Sequence, residues 1–286
     1  MVTGSNRAKQ FTAFNRQLLM IAISLLFLLP IVWMVSTSLK PKNQVFIYPP
    51  QFFTLPLVFQ NYPDSVGFID FWRYFFNTAV ISILSVVGTL FSCPIAAYGF
   101  SRMKWSLREP LFYVCLSTVM LPFLAVMVPT YVLFKSFGWI GNMHVLWGWG
   151  PLIIPAFGGN PLYIFLLRQF YLSIPAELSE SAVIDGATEF QVFWSIILPL
   201  SRSAITTVCI FTFVGNWTDF LAPRLFITEK SQYTLSLGLL DYFSLHQTEW
   251  TYLMAACVIF VLPVMILFFL AQRLFVEGIS LTGIKA

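Results

Sequence analysis

Side chains able to carry out chemistry are sparse in this chain. Glu180 and Asp185 resemble a pair of catalytic carboxylates, but no nucleophile or metal-ligand cluster accompanies them. His144 and His246 are far apart and lack the spacing of metal ligands. The cysteines stand inside apolar runs, as small core hydrophobes do, at Cys93, Cys115, Cys209 and Cys257. The sequence therefore predicts no catalytic residue and no metal site, and we expect the chain not to be an enzyme.

The composition indicates a membrane protein. Hydrophobic residues make up 58% of the 286 residues, charged residues make up 10%, and the mean hydropathy is +0.80. Soluble domains carry about 25% charged residues. Aromatic residues, 18% of the chain, gather near the ends of the apolar runs, as in interfacial belts. The net charge of +4 comes from basic residues that flank these runs, so we expect no nucleic-acid partner.

Six apolar stretches are long enough to cross a bilayer, since a helix needs about 20 residues to do so. They predict an all-α integral membrane fold with six transmembrane helices at Gln17–Leu39, Tyr74–Phe100, Leu111–Phe134, Val145–Leu167, Ala204–Leu225 and Thr251–Phe275. The fourth helix is predicted to be broken, because it contains Pro151, Pro155, Gly158, Gly159 and Pro161. The transmembrane domain is expected over residues 17–275, between an N-terminal segment, 1–16, and a C-terminal tail, 276–286.

The basic residues predict the orientation. Of the 16 Lys and Arg residues, ten lie on the side of the two termini and six on the opposite side, which places both termini in the cytoplasm. The first apolar stretch follows Arg7, Lys9 and Arg16 and has no small-residue cleavage pattern, so we expect it to be retained as a signal anchor.

The long inner loop, residues 169–203, is predicted to begin with a short helix. Pro175 suits the first turn of a helix, because its missing N–H would be unpaired there in any case. The carboxylate of Glu177 complements the positive end of the helix dipole. Gly186 can adopt the left-handed conformation that ends a helix, so a sharp turn is expected there.

A second short helix is predicted after this turn. Thr188, followed by Gln191 three residues later, forms a capping-box pattern at its start. Pro199 is expected to close it. The sequence therefore predicts a helix-turn-helix unit that lies at the cytoplasmic surface and fits into a cleft on a partner.

This unit resembles the cytoplasmic loop that marks permease subunits of prokaryotic ABC importers. The family pattern is Glu-Ala-Ala, three residues, Gly, nine residues, Ile, one residue and Leu-Pro. The chain matches every spacing, with Ser181 in place of one alanine, at Glu180, Ser181, Ala182, Gly186, Ile196, Leu198 and Pro199. Further stretches resemble the maltose-type second permease of the carbohydrate branch, namely Ser38–Pro41, Asn61–Tyr62, Asn77–Thr78, Ala96–Arg102 and Leu166–Phe170.

The resemblance implies a type I importer permease in the bacterial inner membrane, whose hairpin docks on an ATPase. The residues expected to couple to the ATPase are Glu177, Glu180, Ser181, Ala182, Asp185, Gly186, Ala187, Leu198 and Pro199. The expected partners are a homologous second permease, a dimer of ATPases that bind ATP and Mg, an extracytoplasmic solute-binding protein and the lipid bilayer. This chain has no phosphate-binding loop, so we expect it to hold no cofactor itself. The implied cargo is a carbohydrate, with oligosaccharides favoured.

Candidate residues for the substrate pathway are polar or aromatic groups in or near the predicted spans. They are Asn77, Tyr131, Asn216, Trp217 and Asp219. A carboxylate in a membrane segment is a functional candidate, but it can equally form a structural hydrogen bond between helices, and the sequence leaves both open for Asp219. The alternative class is an ion-coupled secondary transporter or channel, which would normally show several intramembrane ionisable residues.

Overall fold

The computed structural model describes the backbone of residues 3–243 and 248–282 and the side chains of residues 14–243 and 248–272. Helices dominate this described part of the chain. In order they are α1 (Thr3–Ser38), α2 (Asn61–Phe68), α3 (Phe71–Ser101), α4 (Arg108–Ser117), α5 (Phe123–Ser136), α6 (Val145–Gly148), α7 (Gly150–Phe157), α8 (Pro161–Ser173), α9 (Ala176–Ile184), α10 (Glu189–Val192), α11 (Leu198–Leu200), α12 (Arg202–Thr218), α13 (Leu221–Phe226), α14 (Leu235–Gly238) and α15 (Trp250–Thr282). A π-helical segment, Phe193–Ile197, joins α10 to α11.

The all-helical membrane fold is confirmed, with four to six candidate spans. Four helical stretches are each long and apolar enough to cross a membrane, namely Phe14–Ser38, Phe71–Ser101, Gly150–Ser173 and Trp250–Gln272. Two further spans are counted only if bent helix pairs are taken together. The predicted break in the fourth span is present, because α7 ends at Phe157 and α8 begins at Pro161.

The third predicted span is bent more sharply than a proline kink. Arg108–Met120 and Phe123–Ser136 meet at 100°. Leu121 is extended, with φ −77° and ψ 112°, because the ring of Pro122 disfavours the helical conformation in the residue before it. The span expected over Leu111–Phe134 is therefore present only as a bent pair of helices.

The fifth predicted span ends earlier than Leu225. The helix α12 stops at Thr218, and Asp219 is extended. The Asp219 carboxylate accepts hydrogen bonds from the N–H groups of Leu221, at 3.0 Å, and Ala222, at 3.3 Å. These bonds satisfy donors in the first turn of α13, so the carboxylate starts a new helix where composition alone predicted a continuous one.

The chain divides into two compact units. The first comprises Met1–Ile69 and Asp241–Val261, and it contains a polar network at the end of α1. Asn61 donates to the carbonyl oxygens of Ser38 and Lys40, both at 2.9 Å, and so pairs carbonyls at and just after the end of α1. Lys42 forms an ion pair with Glu249 at 2.7 Å, and this hydrogen bond raises the pKa of Lys42.

The second unit, Asp70–Leu240 with Leu262–Ala286, is built around α3. This helix packs chiefly on α12, α7 and α8. Small residues allow close approach to α7, since a Cβ at Gly88 would lie 2.7 Å from the Phe157 ring, and Ser92 donates to the Ala156 carbonyl at 2.9 Å. A buried cluster that includes Ala97, Leu167 and Ile197 joins α3 and α8 to the π-helical segment.

Charged groups reinforce the same end of α3. Arg168, 9% exposed, donates to both carboxylate oxygens of Glu109 at 2.9 Å and to the Phe100 carbonyl at 3.0 Å. Its guanidinium also lies 4.1 Å from the ring centroid of Phe112. One arginine therefore holds α3, α4 and α8 together.

Candidate functional site: the hairpin 175–200

The first helix of the hairpin begins as the sequence predicts. Pro175 is extended, with φ −53° and ψ 134°, and precedes α9. Glu177 lies in the first turn, where its negative charge faces the positive end of the helix dipole.

The turn after α9 is a Schellman motif. Gly186 has φ +89°, a conformation that favours glycine. The N–H of Ala187 donates to the Ala182 carbonyl at 2.9 Å, and the N–H of Gly186 donates to the Val183 carbonyl at 3.0 Å. This is the bonding pattern that closes a helix C-terminus on a left-handed glycine. Ala182 and Ala187 both pack on the buried cluster, which explains the need for small side chains there.

The capping box predicted for the second helix is present. The Thr188 hydroxyl accepts from the N–H of Gln191 at 3.3 Å, and the Gln191 side chain accepts from the N–H of Thr188 at 2.7 Å. Both helix starts and the turn between them therefore follow from local chemistry over about 14 residues.

The second helix ends one residue past Pro199, close to where the sequence predicts. The helix runs from Glu189 to Leu200, and its π-helical segment lies directly before the proline. The N–H of Leu198 donates five residues back, to the Phe193 carbonyl. We attribute the continuity to this wider turn, because it relieves the clash that a proline ring makes with the carbonyl four residues earlier. Ser201 ends the helix, and α12 then departs at 77°.

The exposed surface of the hairpin is acidic and aliphatic. Residues 175–188 contain three acidic and no basic residues, and all three carboxylates are exposed, at Glu177, Glu180 and Asp185. None of them forms an ion pair within the described part of the chain. Beside them Ile184 is 85% exposed and Val183 50% exposed. An apolar centre with unpaired charges around it is the chemistry of a protein interface.

A groove of about 1150 Å³ borders the hairpin on the side of the 101–108 loop. Its lining includes basic residues from that loop and acidic residues from the hairpin, among them Arg102, Lys104, Arg108, Glu177, Glu180 and Glu189. Sequence reasoning gave no role to Arg102, Glu189 or the neighbouring Tyr98. The stretch Ala96–Arg102 was nevertheless a signal, since it matched the family pattern.

Four of the five pathway candidates lie on three different helices, and the fifth, Asp219, lies directly after α12. Asn77 on α3 is buried and donates to the carbonyls of Ser231 and Tyr233. Tyr131 is half-buried on α5. Asn216 donates to Thr212 within α12, and Trp217 is buried against the rings of Phe75 and Phe213. Asp219 caps α13, as described above. The structure brings Asn216, Trp217 and Asp219 together at one end of α12 and leaves Tyr131 on a separate element.

Within the part of the chain that the structure describes, no three His, Cys, Asp or Glu side chains form a group that could hold a metal ion. His144 is exposed, and His246 lies outside the described residues. The multiple apolar helices indicate a multi-span membrane protein, and the hairpin is an exposed element at its surface.

Residues 88–281 match the family described as "binding-protein-dependent transport system inner membrane component", and the chain belongs to this family. It is similar to "Probable ABC transporter permease protein YurM" of Bacillus subtilis, at 33% identity over 90% of this chain and 83% of the relative. It is also similar to "Arabinooligosaccharides transport system permease protein AraQ" of Bacillus subtilis, at 30% identity over 92% of each chain. The carbohydrate-permease resemblance inferred from the sequence is thereby confirmed.

A solved structure shares the fold. It is a chain from a bacterial ABC transporter "involved in the import of the acidic polysaccharide alginate", with a TM-score of 0.79 and 22% sequence identity over 93% of this chain and 97% of the other. The match supports an importer-permease fold for nearly the whole chain.

Proposed function

We propose that this chain is one permease subunit of an ATP-driven importer that moves a carbohydrate, of the oligosaccharide class, into the cytoplasm by alternating access. The observation that carries the proposal is the hairpin 175–200, whose turn is fully formed and whose acidic, aliphatic surface has no ion-pair partner among the described residues. Relatives named for arabinooligosaccharide and starch-product transport support the substrate class.

In this proposal the hairpin docks in a basic groove on a separate ATPase, which binds ATP and Mg. Ile184 and Val183 supply the apolar centre, and the three carboxylates around them give charge complementarity and orientation. The small side chains of Ser181, Ala182 and Ala187 allow close packing around the turn, and Gly186 sets the conformation of the turn. Leu198 and Pro199 continue the second helix.

A dimer of these ATPases pairs with this chain and a homologous second permease, and an extracytoplasmic binding protein delivers the cargo. The excess of basic residues on the side of the termini supports a cytoplasmic placement for both termini and for the hairpin, in a bacterial inner membrane. The pathway candidates Asn77, Tyr131, Asn216, Trp217 and Asp219 remain proposed contacts along the route.

The test is reconstitution with the products of the neighbouring genes. The ATPase is expected to co-purify with this chain through detergent, and proteoliposomes should take up labelled neutral and acidic oligosaccharides only when ATP reaches the ATPase. Uptake that instead follows an imposed ion gradient, and stops with an ionophore while ATP is absent, would identify an ion-coupled secondary transporter and overturn the proposal.

A matched pair of variants tests the docking surface itself. Ile184→Glu places a charge at the centre of the proposed interface and should abolish co-purification of the ATPase. Met143→Glu is the control, because Met143 is also an exposed apolar residue, at 81%, but lies in the loop after α5. Equal ATPase retention by both variants would show that the hairpin is not the docking site.

A further inference from the structure

Two residues at the end of α3 attach this helix to both flanks of the hairpin. Tyr98 and Arg102 stand four residues apart, so they lie on the same side of the helix end. The Tyr98 hydroxyl donates to Oε2 of Glu189 at 2.5 Å, and the Tyr98 ring, 6% exposed, packs on Phe193 with centroids 5.1 Å apart. Glu189 is the first residue of α10, immediately after the capping residue.

Arg102 makes the second attachment. Its Nη2 donates to the carbonyl oxygens of Tyr171 and Ile174, at the end of α8 and directly before Pro175. The Tyr171 carbonyl also accepts from the N–H of Ile174 at 3.2 Å, and carbonyls at a helix end carry partial negative charge, so a guanidinium is well suited to them. Arg102 therefore ties α3 to the start of the hairpin, and Tyr98 ties α3 to the start of α10, which follows the hairpin turn.

The chain itself connects the hairpin to the spans through two bends. On one side Ile174 and Pro175 are extended and interrupt the helix. On the other side the helix axis turns by 77° at Ser201 before α12 begins. Neither connection is a continuous helix, so the contacts of Tyr98 and Arg102 supplement the chain itself in joining the hairpin to α3.

We propose that Tyr98 and Arg102 are positioning residues that make α3 move together with the hairpin, so that α3 transmits the movement of the docked ATPase across the membrane. This inference rests on the proposed function. We call these contacts the joint. Tyr98 and Arg102 form its α3 side, and Glu189 with the Tyr171 and Ile174 carbonyls forms its hairpin side. The joint is distinct from the docking surface, which lies on the exposed residues of α9 and its turn.

The far end of α3 supports this role. The helix has 31 residues and is therefore about 46 Å long, longer than the hydrocarbon core of about 30 Å. Near its start Asn77 donates to the carbonyls of Ser231, at 3.0 Å, and Tyr233, at 2.9 Å. The Thr78 hydroxyl accepts from the N–H of Leu235 at 2.7 Å. A displacement of α3 at the hairpin end is thereby passed to the segment 231–235 at the opposite end.

The experiment uses the assembled transporter with its binding protein in proteoliposomes. Tyr98→Phe removes one hydroxyl without changing the shape of the side chain, and it should lower the stimulation of ATP hydrolysis by loaded binding protein about fivefold, at the lower end of coupling factors between distant sites. The matched control is Tyr113→Phe, because Tyr113 is 64% exposed and lies on α4. This control should match the unmodified protein.

A double-variant cycle separates coupling from general damage. Glu189→Ala should lose as much stimulation as Tyr98→Phe, and the double variant should lose no more than either, because both remove the same bond. Glu189→Gln should retain most of the stimulation, since its amide oxygen still accepts from Tyr98. Unchanged stimulation in Tyr98→Phe, or additive losses in the double variant, would refute the joint.

The outcomes distinguish this inference from the proposed function. Loss of the ATPase from the unmodified complex, or ATP-independent uptake by it, contradicts the proposed function. A Tyr98→Phe complex that retains its ATPase and shows normal stimulation contradicts only the role of Tyr98 in transmission and leaves the proposed function intact.

Discussion

Replacement of Gly186 by valine is the sharpest test of the hairpin turn. Gly186 has φ +89°, and a Cβ built on it meets no atom within 4 Å. The cost of a side chain is therefore conformational and not steric. A β-branched residue in this region is disfavoured by about 2 kcal/mol, which corresponds to a roughly 30-fold loss of the native turn. The two Schellman bonds from Gly186 and Ala187 are lost when the turn opens.

The assay compares two quantities in proteoliposomes: the ATPase retained by the complex and the substrate transported per ATP hydrolysed. Gly186→Val should lower both, and Gly186→Asn should be milder, since asparagine tolerates the left-handed conformation. Gly138→Val is the matched control, because Gly138 has φ +70° and equally open surroundings but lies after α5. If Gly186→Val couples ATP to uptake as well as Gly138→Val does, the turn has no role in docking.

Three further changes have defined outcomes. The first variant removes the three hairpin charges through Glu177→Gln, Glu180→Gln and Asp185→Asn. It should weaken ATPase co-purification at low salt and flatten the salt dependence of co-purification. An unaltered salt profile would exclude the three carboxylates from the interface. Gly148→Ala should lower the melting temperature in detergent, because a Cβ there would lie 2.0 Å from Oε1 of buried Gln232. The control is Gly215→Ala, because Gly215 has open surroundings. Equal melting temperatures of the two variants would contradict the packing at Gly148. Arg168→Lys should cost about 1.5–3 kcal/mol of stability, since one ammonium cannot serve both Glu109 and the Phe100 carbonyl; a melting temperature equal to that of the unmodified chain would contradict this.

The spans and the break in the fourth span were predictable from the sequence, but the sizes and positions of the other bends were not. Pro122 and Pro199 illustrate the limit. Both lack a backbone N–H, yet the 100° change of direction comes directly at Pro122, whereas the helix continues through Pro199 and turns by 77° only at Ser201. The difference comes from the turn before each proline, which is extended at Leu121 and π-helical at Phe193–Ile197. Local sequence specifies where a helix is weak, and tertiary packing determines whether it breaks there.

Asp219 shows a different limit. The sequence left open a pathway role and a hydrogen bond to another helix. In the structure its carboxylate bonds to the N–H groups of Leu221 and Ala222, two and three residues ahead. This local use was available to sequence reasoning, because aspartate commonly caps helices. It was missed because the surrounding apolar residues favoured a single uninterrupted span.

The hairpin and its attachment differ in how far the sequence can specify them. The hairpin is set by bonds between residues three to five apart, such as Thr188 with Gln191 and Ala187 with Ala182, so its residue types and spacings stand out in one sequence. Tyr98 and Glu189 are 91 residues apart, and no local rule pairs them. The proposed docking surface is therefore encoded in a recognisable motif, whereas the proposed transmission depends on long-range contacts that only the folded chain assembles. For this reason variants of Tyr98 should affect coupling while leaving the docking motif intact.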